Sequence, residues 1–296
     1  MNWRQLVVEP HAESLAAVEA FLNDAGALAL TLQDAGDEPL LEPPPGSNPL
    51  WQRTRIVALF SADADLTGLA ARLSAQFEAQ VHNIGIDTLA DRAWELEWRK
   101  DFKPMCFGTR LWVTPVDGLD TLPEDAIAVV LEPGLAFGTG THPTTALCLR
   151  WLDGRTLQAQ HVLDYGCGSG ILAIAAARLG AASVTATDID PQALLATREN
   201  ALRNEVAHIS TVTPDTLAPG SYDVVLANII AGTLITLADE LIGLCRPDGH
   251  LVLSGLLPRQ VEAVCDRYRG QVEFLPVVQL GEWCLLHGTR RHDAVD

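Results

Sequence analysis

Val162–Gly170 reads VLDYGCGSG, and residues 171–179 continue it as ILAIAAARL. An apolar run of strand length enters Gly166, Cys167, Gly168, Ser169 and Gly170 and leaves as an apolar run of helix length. That is the first half of a βαβ unit. Its glycines let the chain turn tightly and let a ligand lie against bare backbone. In a doubly wound sheet, ligands bind at the carboxyl ends of the strands, so this turn marks a binding site.

The spacing narrows the ligand. A dinucleotide turn carries G-x-G-x-x-G with a pyrophosphate over the helix N-terminus. Here the pattern is G-x-G-x-G, and Ile171 stands where the last dinucleotide glycine would be. Asp164, two positions before Gly166, disfavours a pyrophosphate but suits a cationic amino-acid end. S-adenosylmethionine has an ammonium, a sulfonium and no phosphate. Gly166, Gly168, Gly170 and Asp164 are therefore read as cofactor-binding.

Downstream, strands and helices alternate: strands at 161–165, 183–188, 222–228 and 250–254, and helices at 171–179, 191–204, 232–244 and 258–268. The end, VEFLPVVQLGEWCLLHG, reads as two strands and a short turn that add an antiparallel strand to a mostly parallel sheet. Asp188, at the tip of the second strand, is placed to accept ribose hydroxyls, a device shared with nicotinamide sites. Asp190 before Pro191 reads as a helix cap. Asn228 ends the third strand, where its carbonyl can accept from an incoming amine; capping the next helix is the alternative.

Upstream, residues 132–145 read EPGLAFGTGTHPTT, a small-residue loop entering a helix at 144–152. Phe137, Gly138 and Thr139 are read as a lid or cofactor-wrapping segment. Thr145 falls in the first helical turn, where hydroxyls and free amides face a ligand. His142 reads as a loop-shaping hydrogen-bonding group in preference to a general base.

The first ninety residues differ in character. Their strand and helix signals follow the order βαββαβ, a ferredoxin-like α+β unit, interrupted by the proline-rich PLLEPPPGSNPLW. Residues 91–115 concentrate Trp94, Trp98, Phe102, Phe107 and Trp112 among charges and read as an interdomain linker, a helix running into a turn and a strand. The expected layout is thus 1–90, 91–115 and 116–296, the last a Rossmann-like α/β domain.

A net charge of −18 argues against a protein that grips nucleic acid through phosphates. The six cysteines never fall at CxxC spacing, so no metal site is expected, and a reduced, cytoplasmic setting fits. Residues 1–14 show no apolar signal core, and no apolar run reaches membrane-spanning length.

Taken together, LEPGLAFGTGTHPTTALCL, LDYGCGSGILAIAAARLGA, TDIDPQAL, DVVLANIIAGTL, LVLSGLLPRQ and EWCLLHGTR resemble the PrmA family, bacterial methyltransferases of ribosomal protein L11, the eleventh large-subunit protein. DRAWELEWRKDFKP resembles that family's interdomain segment, and EPPPGSNPLW carries a looser match. The resemblance implies transfer of methyl groups from S-adenosylmethionine to the N-terminal α-amine and lysine amines of that protein, up to trimethylation. It also implies a small N-terminal domain that recognises the substrate and moves relative to the catalytic domain; a monomer is expected. It carries cofactor contacts over to Thr145, Gly166, Asp188 and Asn228. Where amine methyltransferases often have two prolines and an aromatic after this Asn or Asp, Ile229 and Ile230 follow here. Another protein amine as substrate, a nicotinamide-dependent oxidoreductase and a non-enzymatic nucleoside-binding protein are the alternatives.

Overall fold

The computed structural model describes residues 3–36, 50–89, 103–131, 141–220 and 222–292. The chain divides into two compact units, Met1–Trp94 and Glu95–Asp296.

The first unit follows the expected order: β1 (Trp3–Pro10), α1 (Leu15–Asp24), β2 (Ala29–Asp34), β3 (Thr54–Phe60), α2 (Leu66–Phe77) and β4 (Val81–Leu89). The strands form one antiparallel sheet ordered β2-β3-β1-β4. Alternation in β3 buries Thr54, Ile56, Ala58 and Phe60. The apolar residues among them join Leu6, Val8, Val18, Leu22, Leu69 and Leu73 in one core beneath the helices. Asp65 caps α2 by accepting from Gly68 N at 3.0 Å. Glu9 is buried but accepts from Arg55, Asn83 and Arg53. The Arg55 bond leads in holding its carboxyl below the usual range, against the opposing effect of burial.

In the second unit, β5 (Met105–Cys106), β6 (Leu111–Thr114) and β7 (Ile127–Val130) make a small sheet, with β6 and β7 parallel. Two of these strands thus lie within 103–115, the described part of the linker segment. The helix expected there, with Trp94, Trp98 and Phe102, falls outside the described residues. The chain continues as α3 (Pro143–Asp153), β8 (His161–Tyr165), α4 (Ile171–Arg178), β9 (Ser183–Thr187), α5 (Pro191–Arg203) and β10 (Ser210–Val212). It ends with β11 (Tyr222–Asn228), α6 (Ala231–Thr236), α7 (Ala238–Leu244), β12 (Cys245–Leu256), α8 (Val261–Tyr268), β13 (Val272–Phe274), β14 (Val278–Leu280) and β15 (Trp283–Arg290).

The large sheet runs β10-β9-β8-β11-β12-β15-β13, with β14 paired to β15. Its core pairs are parallel, and β15 enters antiparallel to β12 and β13. This is the mostly parallel sheet with an antiparallel C-terminal strand that the sequence implied. Period-two alternation divides β11 between two cores: Val224 and Leu226 pack with α3, α4 and α5, while Val225 and Ala227 pack with α6, α7 and α8. Seven of the eight α4 residues are buried, and its alanines allow close approach to the sheet.

Four local readings change. The C-terminal stretch expected as two strands forms three, β13, β14 and β15, with the short β13 and β14 both pairing to β15. The helix expected at 232–244 breaks at Leu237 (φ −90°, ψ 9°) into α6 and α7. Strand β10, three polar-to-apolar residues long, carries too little periodicity to be read from sequence. Strand β12 runs past Ser254 to Leu256 because Gly255, at φ +91°, accommodates a bulge against β15. At the far end of α3, buried Asp153 accepts from Thr109 N, Thr109 Oγ1, Arg110 N and Leu111 N at 2.7–3.0 Å. Burial alone would raise its carboxyl, but these bonds outweigh it and hold the group below the usual range.

Candidate active site

The carboxyl ends of β8, β9, β11 and β12 meet around the glycine turn. Gly166, Gly168 and Gly170 have φ of +76°, +53° and +78°. A Cβ on Gly166 would lie 2.5 Å from Ile229 Cγ2, and one on Gly170 would lie 2.7 Å from Thr197 Cγ2. The turn needs glycine for both conformation and space. It is braced from two sides. Gly166 N and Cys167 N donate to Thr187 O at 2.8 and 3.0 Å. From α5, Thr197 Oγ1 donates to Gly168 O (3.1 Å) and Asn200 Nδ2 to Ser169 O (2.9 Å). Cys167 lies within this brace, and burial pushes its thiol up to about 12, so it is a packing residue and not a nucleophile.

Asp164 is 1 % exposed. Its Oδ2 accepts from Ala173 N at 3.0 Å, which fixes α4 to the strand, a role not read from the sequence. Its Oδ1 is buried without a partner. Burial, helped by the charge of Asp188 and opposed by the Ala173 bond, raises the carboxyl to about 7. A buried carboxylate oxygen with no partner favours a nearby cation.

Asp188 Oδ2 accepts from Gly168 N and its Oδ1 from Asp190 N, both at 3.0 Å. The carboxylate thus joins the tip of β9 to the turn, and each oxygen retains a lone pair. Asp190 caps α5 through Gln192 N at 2.8 Å, as expected. The next residue after Asp188, Ile189, is 87 % exposed. Sequence reading missed it; the available signal was an apolar side chain just beyond a strand tip, beside a ribose-type carboxylate. Such a side chain offers a flat apolar contact to a nucleobase.

On the other side of the turn, Asn228 Nδ2 donates to Thr145 Oγ1 at 3.3 Å. Thr145 is 1 % exposed in the first turn of α3, so the amide is held from below and Asn228 Oδ1 remains an acceptor. Asn228 does not cap α6, which begins after Ile230 without a side-chain cap. Ser254, paired with Asn228 across β11 and β12, approaches Thr144 O at 3.3 Å through its buried hydroxyl. His142 is the N-cap of α3, with Pro143 at the first helical position. Phe137, Gly138 and Thr139 lie outside the described residues. Of the remaining predicted residues, Asp164, Gly166, Gly168, Gly170, Asp188 and Asn228 lie at or just beyond these strand ends, and Thr145 meets Asn228 from the first turn of α3.

These features fit S-adenosylmethionine. At Gly166 and Gly170 the turn has no room for a Cβ and keeps its backbone bare, the orphaned Asp164 oxygen suits an ammonium, and Asp188 suits a ribose. A phosphate-bearing nucleotide would meet two carboxylates and no fixed cation among the described residues here. Among the described residues no group of three or more His, Cys, Asp and Glu side chains is placed to hold a metal ion. No helix there is long and apolar enough to cross a membrane.

Comparison with known proteins identifies relatives along the whole chain. The chain is 50% identical over 292 residues to "Ribosomal protein L11 methyltransferase" of Methylococcus capsulatus, covering 98% of this chain and 99% of that one. It is 47% identical over 296 residues to the protein of the same name in Pseudomonas paraeruginosa, covering 99% and 100%. A solved ribosomal protein L11 methylase from Lactobacillus delbrueckii subsp. bulgaricus superposes with a TM-score of 0.59 at 32% identity, over 64% of this chain and all of that one. Residues 2–291 match the family described as "Ribosomal protein L11 methyltransferase (PrmA)", and the chain belongs to that family.

Proposed function

We propose that this enzyme transfers methyl groups from S-adenosylmethionine to amines of ribosomal protein L11, the N-terminal α-amine and lysine ε-amines, up to the trimethylated state. The observation that carries the reading is Asn228 at the tip of β11: its amide is committed to Thr145 and its carbonyl is left to receive an N–H.

When bound, S-adenosylmethionine supplies a methyl group on a sulfonium leaving group. Gly166, Gly168, Gly170, Asp188 and Asp164 would hold it, with Ile189 against its base. The chain's own task is alignment. Asn228 Oδ1 and the carbonyls of the strand tip accept the N–H bonds of the incoming amine and so aim its lone pair. The amine must be neutral to attack. A free α-amine, with a pKa of about 7.7–8.0, needs little help, whereas a lysine near about 10.4 needs more. Apolar surroundings such as Ile229 disfavour the ammonium and favour the reactive form. His142 is committed to capping α3, so the proton released after each transfer passes to solvent.

The first unit is proposed to recognise the substrate. In support, one face of its sheet carries a concavity of about 530 Å³ lined by Gln5, Val7, Glu9, Gln33, Arg55, Val57, Asn83, Gly85 and Asp87, a mixed polar, charged and apolar surface. Labelled S-adenosylmethionine with hypomethylated ribosomal proteins tests the substrate: label should enter L11, and label confined to another band refutes the assignment. Asn228→Ala should reduce kcat far more than affinity for S-adenosylhomocysteine. Equal losses in both would overturn the role given to Asn228.

A further inference from the structure

Two isoleucines follow Asn228, and the fold puts them to different use. The Ile229 side chain lies over the cofactor turn: its Cγ2 is 2.5 Å from the point that a Cβ on Gly166 would occupy, and the residue packs, partly buried, against the core beneath α6, α7 and α8. Ile230 does neither. It is 58 % exposed and stands as the N-cap of α6, with extended backbone (φ −61°, ψ 147°) and no side-chain cap. Its carbonyl accepts from Thr233 N and Leu234 N at 3.0 and 3.1 Å, so its main chain is fixed to the first turn of the helix.

An N-cap favours Ser, Thr, Asn or Asp, whose side-chain oxygen satisfies a helix amide; an isoleucine there forgoes that bond. Ile230 gains little burial in return. A β-branched apolar side chain that neither caps nor packs breaks a local rule for little structural gain, and such breaks gather at functional sites. Two residues of chain put its Cα within about 7 Å of that of Asn228. A lysine stem of four methylenes spans a comparable length, and lysines lay that stem on apolar surface while their nitrogen meets polar groups.

We propose that Ile230 is a specificity-determining residue for methyl transfer: it bears the methylene stem of the acceptor lysine while Asn228 Oδ1 receives the ε-amine. The proposal rests on the assignment of Asn228 to the amine and separates two classes of acceptor. An N-terminal α-amine has no such stem and loses its proton readily near neutral pH. A lysine needs more help, and covering its stem also strips water from the ammonium, which favours the neutral, attacking form.

Ile230→Ser is the direct test, because it puts a capping side chain where the helix favours one. Initial rates are measured at one fixed pH with labelled S-adenosylmethionine and hypomethylated L11, and the label in each proteolytic peptide is resolved by mass spectrometry. In this variant kcat/KM at lysines should fall about tenfold, and that at the α-amine by no more than about threefold. Affinity for S-adenosylhomocysteine should stay within about twofold, and Tm should lie at, or up to about 4 °C above, the wild-type value. Ile230→Leu keeps the apolar contact and should recover most of the lysine rate. Unchanged lysine labelling in Ile230→Ser, or equal losses at lysines and the α-amine, overturns the proposal. So does a loss of cofactor affinity in step with the lysine rate, or a fall in Tm beyond about 4 °C, since either marks a packing role. If instead Asn228→Ala leaves kcat intact, or the wild type labels no lysine, the underlying reading of the amine site fails and the role of Ile230 falls with it.

Discussion

Alanine in place of Gly255 would push on the strand-tip backbone at Ile229 without replacing any side chain proposed to contact cofactor or amine. Gly255 lies in the bulge of β12 at φ +91°. A Cβ there falls 2.3 Å from Ile229 O, 2.8 Å from Ile229 C and 3.3 Å from Ile229 N. These are main-chain atoms of the residue after Asn228, so no rotamer change relieves the collision. Backbone must move, by on the order of 1 Å to restore normal contact distances. The positive φ costs about 1–2 kcal/mol for a residue with a Cβ. Overpacking adds about 1–3 kcal/mol. For a unit of this length each kcal/mol lowers Tm by about 2–4 °C, so a fall of roughly 5–15 °C is expected. The kinetic effect should be larger in proportion, because displacing a positioning group by about 1 Å costs on the order of a hundredfold in rate. The cofactor contacts sit on β8 and β9, so calorimetric affinity for S-adenosylhomocysteine should stay within about threefold. Gly281→Ala is the control: it has φ +59° with nothing within 4 Å of a Cβ, so it should lose stability modestly and keep its activity. Should Gly255→Ala retain wild-type kcat, or lose cofactor affinity as steeply as kcat, the placement of the amine at the β11–β12 tips is wrong.

Asp188→Ala removes acceptors for Gly168 N, Asp190 N and the ribose, and should weaken S-adenosylhomocysteine binding about 10–100-fold by calorimetry; unchanged affinity would remove Asp188 from the site. Asp164, raised to about 7, is largely protonated below that value, while a nearby ammonium favours its ionised form. Affinity for S-adenosylhomocysteine should therefore climb between pH 5.5 and 7.5, by up to about tenfold per unit, and become flat in Asp164→Asn. A wild-type affinity indifferent to pH in that window would place the ammonium elsewhere. Away from the site, buried His287 receives Arg155 Nη2 at 3.4 Å and lies 3.3 Å from His250 Nδ1. Burial, Arg155 and His250 lower its pKa to about 4. Because the unfolded chain binds the proton near 6.5, the stability this group contributes is complete above that pH and lost as pH falls toward about 4. The loss amounts to roughly 2–3 kcal/mol in urea melts. His287→Gln should remove that slope, and a stability curve flat from pH 7 to 4 in the wild type would contradict the burial of a neutral imidazole.

What could be read from the sequence follows from what each signal depends on. The turn at 166–170 was legible because conformation and space both demand glycine there, which leaves a mark in residue type. The ends of β8 and β11 were legible at residue accuracy because apolar runs stop abruptly at Tyr165 and Asn228. Strand β10 and the break at Leu237 left no such mark: each depends on packing against neighbours far along the chain, and a polar three-residue strand looks like any loop. The same distinction holds within the site. Residue type and place on a strand tip brought out Asp188 and Asn228. Neither the orphaned oxygen of Asp164 nor the bond from Asn228 to Thr145 could be read, because one joins residues 83 positions apart and the other is defined by what is missing around it. His142 shows the consequence most directly. From sequence it is a histidine in a glycine-rich loop, read as shaping the chain in preference to acid–base work. In the fold its Nδ1 accepts from the Thr144 amide in the first turn of α3, and Trp283 packs edge-on against the ring.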